Sequence, residues 1–223
     1  MRQDRMARRL LQLSVGLALY GFSMALMIRS ALGNMPWDVF HQGVARTVGG
    51  SIGVVSIVVG ALVLLLWIPL RERPGIGTVS NVLVIGLAVD ASLWLLPPVD
   101  PVALRVLFAV SGIVLNAVAT AAYIGVQLGP GPRDGLMTGL VRRSGRSVRL
   151  VRTSIEVAVV VVGFALGGTL GVATVVYALA IGPLVQVLLP RLTVPSPVRR
   201  VSAAGRPVSR RRMASIGPVT SEP

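Results

Sequence analysis

An all-α integral membrane protein of six transmembrane helices, built as two inverted three-helix repeats that each carry a short interfacial or re-entrant helix, is the fold this 223-residue sequence predicts. Three observations predict it. The composition is 53% hydrophobic against 13% charged, with a mean hydropathy of +0.78, a balance typical of membrane chains. Six apolar stretches approach or exceed the ~20 residues that a spanning helix needs. A phrase beginning at Leu32, "LGNMPWDVFHQGVAR", returns at Leu128 as "LGPGPRDGLMTGLVRR".

The expected spans are 10–28, 52–70, 79–97, 103–127, 153–170 and 172–190. A basic stretch, residues 1–9, precedes the first as it would a signal peptide. The apolar run that follows is too long for a signal core, so it reads as an anchor. Only "GGTLG" separates the last two spans, which predicts a tight hairpin. Residues 10–97 and 103–190 form the two membrane repeats. Residues 191–223, rich in Pro, Ser and Arg without hydrophobic periodicity, read as a disordered cytoplasmic tail.

All 22 basic residues are arginine, set against eight acidic ones, giving a formal charge of +14. Cytoplasmic loops retain positive charge. With the N-terminus inside, only Arg29, Arg46 and Arg105 fall on the outer side. Both termini are therefore expected in the cytoplasm of a bacterial cell, with the protein in the cytoplasmic (plasma) membrane. The tail arginines are expected to lie on the anionic inner leaflet of the bilayer. No nucleic-acid partner is expected, because no recognition motif is present and no aromatic residue interleaves the basic tail.

Sliding the sequence on itself by 96 positions extends the repeated phrase without a gap. Gly16 meets Gly112, Leu32-Gly33 meets Leu128-Gly129, Pro36 meets Pro132 and Asp38 meets Asp134. Gly43, Arg46, Gly49 and Ser51 meet Gly139, Arg142, Gly145 and Ser147, and "GIGT" at Gly75 meets "GVAT" at Gly171. Apolar matches are cheap in a membrane chain, but Pro-x-Asp followed by Gly and Arg in one register is not. Three spans per repeat is an odd number, so the second copy enters the membrane from the opposite side. That plan recurs among secondary transporters, although architecture alone does not fix function.

Each Pro-x-Asp phrase reads as a short helix. Proline suits the first helical position, and Asp38 or Asp134 in the first turn complements the positive end of the helix dipole. Arg46 and Arg142 sit near the negative ends, and Gly49 and Gly145 supply left-handed stops. About 12 residues reach only ~18 Å, short of a ~30 Å hydrocarbon core. Two readings stay open: interfacial braces in which the aspartates merely cap, or re-entrant half-helices whose N-termini point into a central cavity. Trp37 suits the outer interfacial belt.

Asp90 lies about 18 Å into the third span, counted from Thr78, so it either serves a pathway or reaches the outer headgroups. Arg152 and Glu156 have the spacing of a same-face helical pair. Asn81, Asn116, Gln127, Tyr20 and Tyr123 add polarity suited to interhelical hydrogen bonds. "RPGIGT" lacks the ending and the context of a phosphate loop. With no cysteine and a single histidine, His41, thiol chemistry, disulfides and a multi-histidine metal site are not expected. No nucleophile elbow or H-E-x-x-H occurs, so neither an enzyme nor a cofactor is expected.

The segments "LGNMPWDVFHQG", "RPGIGTVSNVLVIG", "LGPGPRDGLM" and "RTSIE" resemble the YczE group of bacterial integral membrane proteins, placed with YyaS and YitT. The resemblance covers roughly residues 10–190 and implies an inner-membrane, multi-span protein. It supplies no substrate and no catalytic residue.

These readings point to a small-solute transporter or exporter component, alone or as a homo-oligomer. Its candidate pathway or substrate residues are Asp38, His41, Arg46, Arg133, Asp134 and Arg142, then Asp90 and Glu156. Two alternatives stay open. A substrate-binding membrane subunit of a larger uptake system would copurify with an ATPase. A non-transporting scaffold or regulator would tolerate loss of both Pro-x-Asp carboxylates.

Overall fold

Proline and glycine punctuation divides the chain into helices. The computed structural model describes residues 2–194, and the part of the expected tail after Val194 lies outside the described residues. Eight helices are found there: α1 (Arg2–Ser30), α2 (Pro36–Val48), α3 (Ile52–Leu70), α4 (Ile76–Leu95), α5 (Val102–Gly125), α6 (Pro132–Ser144), α7 (Val148–Ala165) and α8 (Val172–Leu192). The starts of α6, α7 and α8 fall 96 residues after those of α2, α3 and α4.

The helix ends follow local chemistry. Ser51 and Ser147 cap α3 and α7, accepting hydrogen bonds from the backbone N–H of Val54 (3.2 Å) and Leu150 (3.3 Å). Such a bond satisfies one of the four donors that a helix N-terminus leaves free. Helices α2 and α6 open on proline and close on Gly49 (φ 74°) and Gly145 (φ 66°).

Long helices α1 and α5 form the centre. They approach through small residues: a Cβ on Gly16 would stand 3.2 Å from the Ala122 Cβ, and one on Gly112 would stand 2.7 Å from the Met27 side chain. Close approach of this kind holds helices together where lipid removes the hydrophobic drive. A buried polar chain reinforces the centre. Tyr177 donates to the Asn116 side-chain oxygen (2.9 Å), and the Asn116 amide donates to Ser23 (3.0 Å). Helix α4 packs on α1, and α8 packs on α5.

The short helices cross over between the halves. Helix α2 packs mainly on α7, and α6 mainly on α3. The loops before them do the same. Leu32 accepts a hydrogen bond from the backbone N–H of Ala173 in the first turn of α8 (3.0 Å), and Leu128 accepts one from Gly77 in the first turn of α4 (2.9 Å). Glycine is required beside these contacts. Gly33 and Gly129 have φ of 123° and 131°, and a Cβ on either would stand within 2.8 Å of Thr174 or Thr78 Oγ1. Those threonines hold the helix starts by accepting from Gly75 (3.1 Å) and Gly171 (3.4 Å). This is the physical content of the "GIGT" and "GVAT" phrases.

Two expectations need adjustment. Five helices among the described residues, not six, are long and apolar enough by themselves to cross a membrane: Met6–Ser30 of α1, then α3, α4, α5 and α8. Helix α7 falls short because Arg149, Arg152 and Glu156 occupy the first half of its 18 residues. The expected hairpin of the last two spans is also not the main packing of α7. Although "GGTLG" joins α7 to α8, α7 lies against α2. Glycine explains this choice, since a Cβ on Gly163 would stand 2.5 Å from the Phe40 Cα.

Candidate functional site

The crossover brings the N-termini of α2 and α6 to one cavity of about 350 Å³. Every helix contributes to its wall: Tyr20 from α1, Trp37 and His41 from α2, Ser56 and Gly60 from α3, Asn81 from α4, Tyr123 from α5, Arg133 and Asp134 from α6, Arg152 and Glu156 from α7, and Tyr177 and Gln186 from α8. That volume is at the small end of ligand pockets. Polar groups converge on it from both halves.

Helix α2 turns its polar side inward. Asp38, His41 and Gln42 are all buried, against the usual rule that charge faces solvent. Gln42 holds the loop ends together by accepting from the Asn34 amide (2.9 Å) and the Thr169 backbone (2.6 Å). Asp38 is fully buried. Neither of its oxygens accepts a hydrogen bond among the described residues. It makes no cap bond for α2. Its nearest charged neighbour is the Arg133 guanidinium at 3.8 Å, and His41 Nδ1 stands 3.6 Å away.

Arg133 links the two short helices. Its guanidinium carbon lies 4.9 Å from the centroid of the Trp37 ring, within cation–π range, while the same group faces Asp38. Trp37 lines the cavity. Asp134 accepts a hydrogen bond from the Tyr123 hydroxyl (3.1 Å). Trp67 fixes the start of α6 by donating from its indole N–H to the Pro132 carbonyl (3.0 Å). Arg152 pairs with Glu156 at 2.9 Å, as their spacing suggests.

The remaining sequence candidates lie elsewhere. Arg46 donates to the Gly167 carbonyl and Arg142 to the Leu70 carbonyl, where each cation meets the C-terminal end of a helix in the other half, a favourable dipole arrangement. Arg142 also pairs with Glu72 at 2.9 Å. Asp90 accepts from Ser51 (2.6 Å) and from the Gly53 backbone (2.8 Å). It anchors the start of α3 and is not among the residues that line the cavity.

Sequence reasoning passed over Tyr177, Trp67 and Gln42. Tyr177 was findable, because it occupies the repeat position of Asn81, another cavity residue. Trp67 and Gln42 carry no such signal, since each has a backbone partner supplied by the opposite half, Pro132 and Thr169. No group of three or more metal-ligating side chains occurs among the described residues.

Comparison with known proteins agrees with the helical, apolar architecture. The model of the family described as "Family of unknown function (DUF6198)" matches residues 7–190. An uncharacterized protein of Haemophilus influenzae is 40% identical over 173 residues, 78% of this chain and 79% of its own. The uncharacterized membrane protein YczE of Bacillus subtilis is 31% identical over 178 residues, 79% of this chain and 83% of its own. Uncharacterized protein YyaS, also of Bacillus subtilis, is 24% identical over 182 residues, 79% of this chain and 90% of its own. No solved structure matches. With several apolar helices of spanning length and this match over most of its length, the chain is a multi-pass membrane protein that belongs to the YczE-like DUF6198 family.

Proposed function

We propose that the protein is a small-solute transporter or exporter component of the bacterial cytoplasmic membrane, with its solute site in the cavity between α2 and α6. The observation that carries this reading is the meeting of both Pro-x-Asp helix starts at one cavity, with Asp38 buried behind its wall residues Arg133 and His41 without a hydrogen bond. Buried charge left unsatisfied costs several kcal/mol, and intramembrane ionisable groups characteristically mark substrate or ion pathways. A brace would need no such group.

The topology we propose has six spans, α7 completing the set with its charged first half at the cytoplasmic surface. The two halves are inverted about an axis in the membrane plane, and both termini are cytoplasmic. The exchanged backbone bonds at Leu32 and Leu128 and the reciprocal docking of α2 and α6 support this arrangement. So does the clustering of arginine on one set of loops. Short helices α2 and α6 are then re-entrant, and the lead into α2 is buried at Gly33, Asn34 and Met35, as irregular backbone at membrane depth requires.

Proteoliposomes loaded with a pH-sensitive dye test the reading. Imposed gradients of small organic cations or anions are expected to move solute or protons faster than in protein-free vesicles. Equal rates across the whole panel would remove transport and favour a scaffold role.

A further inference from the structure

The charges around the cavity do not balance. Arg152 and Glu156 neutralise each other at 2.9 Å. That leaves two carboxylates, Asp38 and Asp134, against one cation, Arg133. Arg133 stands 3.8 Å from Asp38 without a hydrogen bond between them, and 28% of its side chain is exposed. Asp38 itself is fully buried and faces Arg133 and His41, two residues of the cavity wall.

A net negative charge in an interior of low dielectric is costly, and a bound cation relieves it while a bound anion doubles it. The helix starts of α2 and α6 would by themselves favour an anion. Each already carries an aspartate in its first turn, so that preference is met from within the chain. The walls add a second preference. Trp37, Tyr20, Tyr123 and Tyr177 surround the space, and aromatic faces attract cations with an organic body. The guanidinium over Trp37 occupies the geometry that such a ligand would adopt.

We propose that the cavity is the seat of a monovalent organic cation, an amidinium-, guanidinium- or ammonium-bearing solute with an apolar body, held by Asp38 and the Trp37 ring in place of Arg133. The assignment rests on the transport reading above for its consequence, but not for its chemistry. Arg133 then acts as a resident counter-cation that the solute displaces.

Isothermal titration of the full chain in lipid nanodiscs, with benzamidinium chloride and with sodium benzoate, tests this directly. The two probes have nearly the same shape and opposite charge. Benzamidinium is expected to bind saturably and benzoate not to bind. Asp38→Asn should weaken benzamidinium at least about tenfold, the loss of a charge-assisted contact. Arg133→Ala should tighten it, because the seat is vacated, and this variant keeps the test open where Asp38→Asn does not fold. Preferential binding of benzoate, no binding of benzamidinium at millimolar concentration, or weaker benzamidinium binding in Arg133→Ala would each overturn the proposal. Benzamidinium binding that depends on Asp38, with no solute flux in proteoliposomes, would leave the cation seat standing and remove transport. Flux together with benzoate binding would do the reverse.

Discussion

Replacing both Pro-x-Asp carboxylates, Asp38→Asn with Asp134→Asn, should reduce solute flux in proteoliposomes by about 10- to 100-fold while leaving the protein folded. Each change is isosteric and removes only charge. A charged hydrogen-bond partner contributes about 1.5–3 kcal/mol, and every 1.4 kcal/mol is a factor of ten. The two residues are not expected to contribute equally. Tyr123 donates to Asp134 at 3.1 Å, a bond that an asparagine oxygen also accepts. Asp38 has no such hydrogen bond and faces the Arg133 guanidinium at 3.8 Å, a pairing that depends on its charge, so the single Asp38→Asn change should account for most of the loss. Unchanged flux in the double variant would make both residues structural and return α2 and α6 to the role of braces.

A large effect on stability is expected at Gly163. A Cβ there would stand 2.5 Å from the Phe40 Cα and 2.6 Å from the Val39 carbonyl carbon. These are backbone atoms of α2, which cannot step aside as a flexible side chain can. Gly163→Ala should therefore push α2 off α7 and cost roughly 3 kcal/mol, the upper part of the range for overpacking. For a chain of this size that lowers the melting midpoint by about 6–12 °C, measured by thermal unfolding in detergent. Gly182→Ala is the matched control, since a Cβ there meets nothing within 4 Å. It should be neutral or slightly stabilising, as alanine is the better helix former. Equal midpoints for the two variants would mean that α2 is not seated on α7.

Much of the helical framework was legible because it is written in local chemistry. Pro36, Pro132, Gly49, Gly145, Ser51 and Ser147 each act within one turn of their own position, and the 96-residue register aligned the two sets. What was not legible depends on contacts across the halves. The residues of α7 do not say that it rests on α2, because the glycine that permits this meets a backbone distant in sequence. Asp90 reads equally as a pathway residue or a surface residue until Ser51 and Gly53 are placed beside it. The inward turn of α2 is hidden for another reason. In a membrane chain apolar faces look outward to lipid as readily as inward, so a periodic polar stripe does not reveal whether it faces water or a protein interior. Exposed Leu62, Leu65, Ile68 and Leu179 beside buried Asp38 and His41 illustrate that inversion.

A shared site requires α2 and α6 to enter one cavity from opposite sides of the membrane. The chain contains no cysteine, so single cysteines introduced at exposed Gly50, after α2, and at exposed Arg146, its repeat position after α6, report sidedness without interference. In intact cells, a membrane-impermeant maleimide should label Gly50→Cys from outside and leave Arg146→Cys unlabelled until the membrane is opened. Labelling of both positions from the same side would contradict the inverted arrangement and, with it, the shared site.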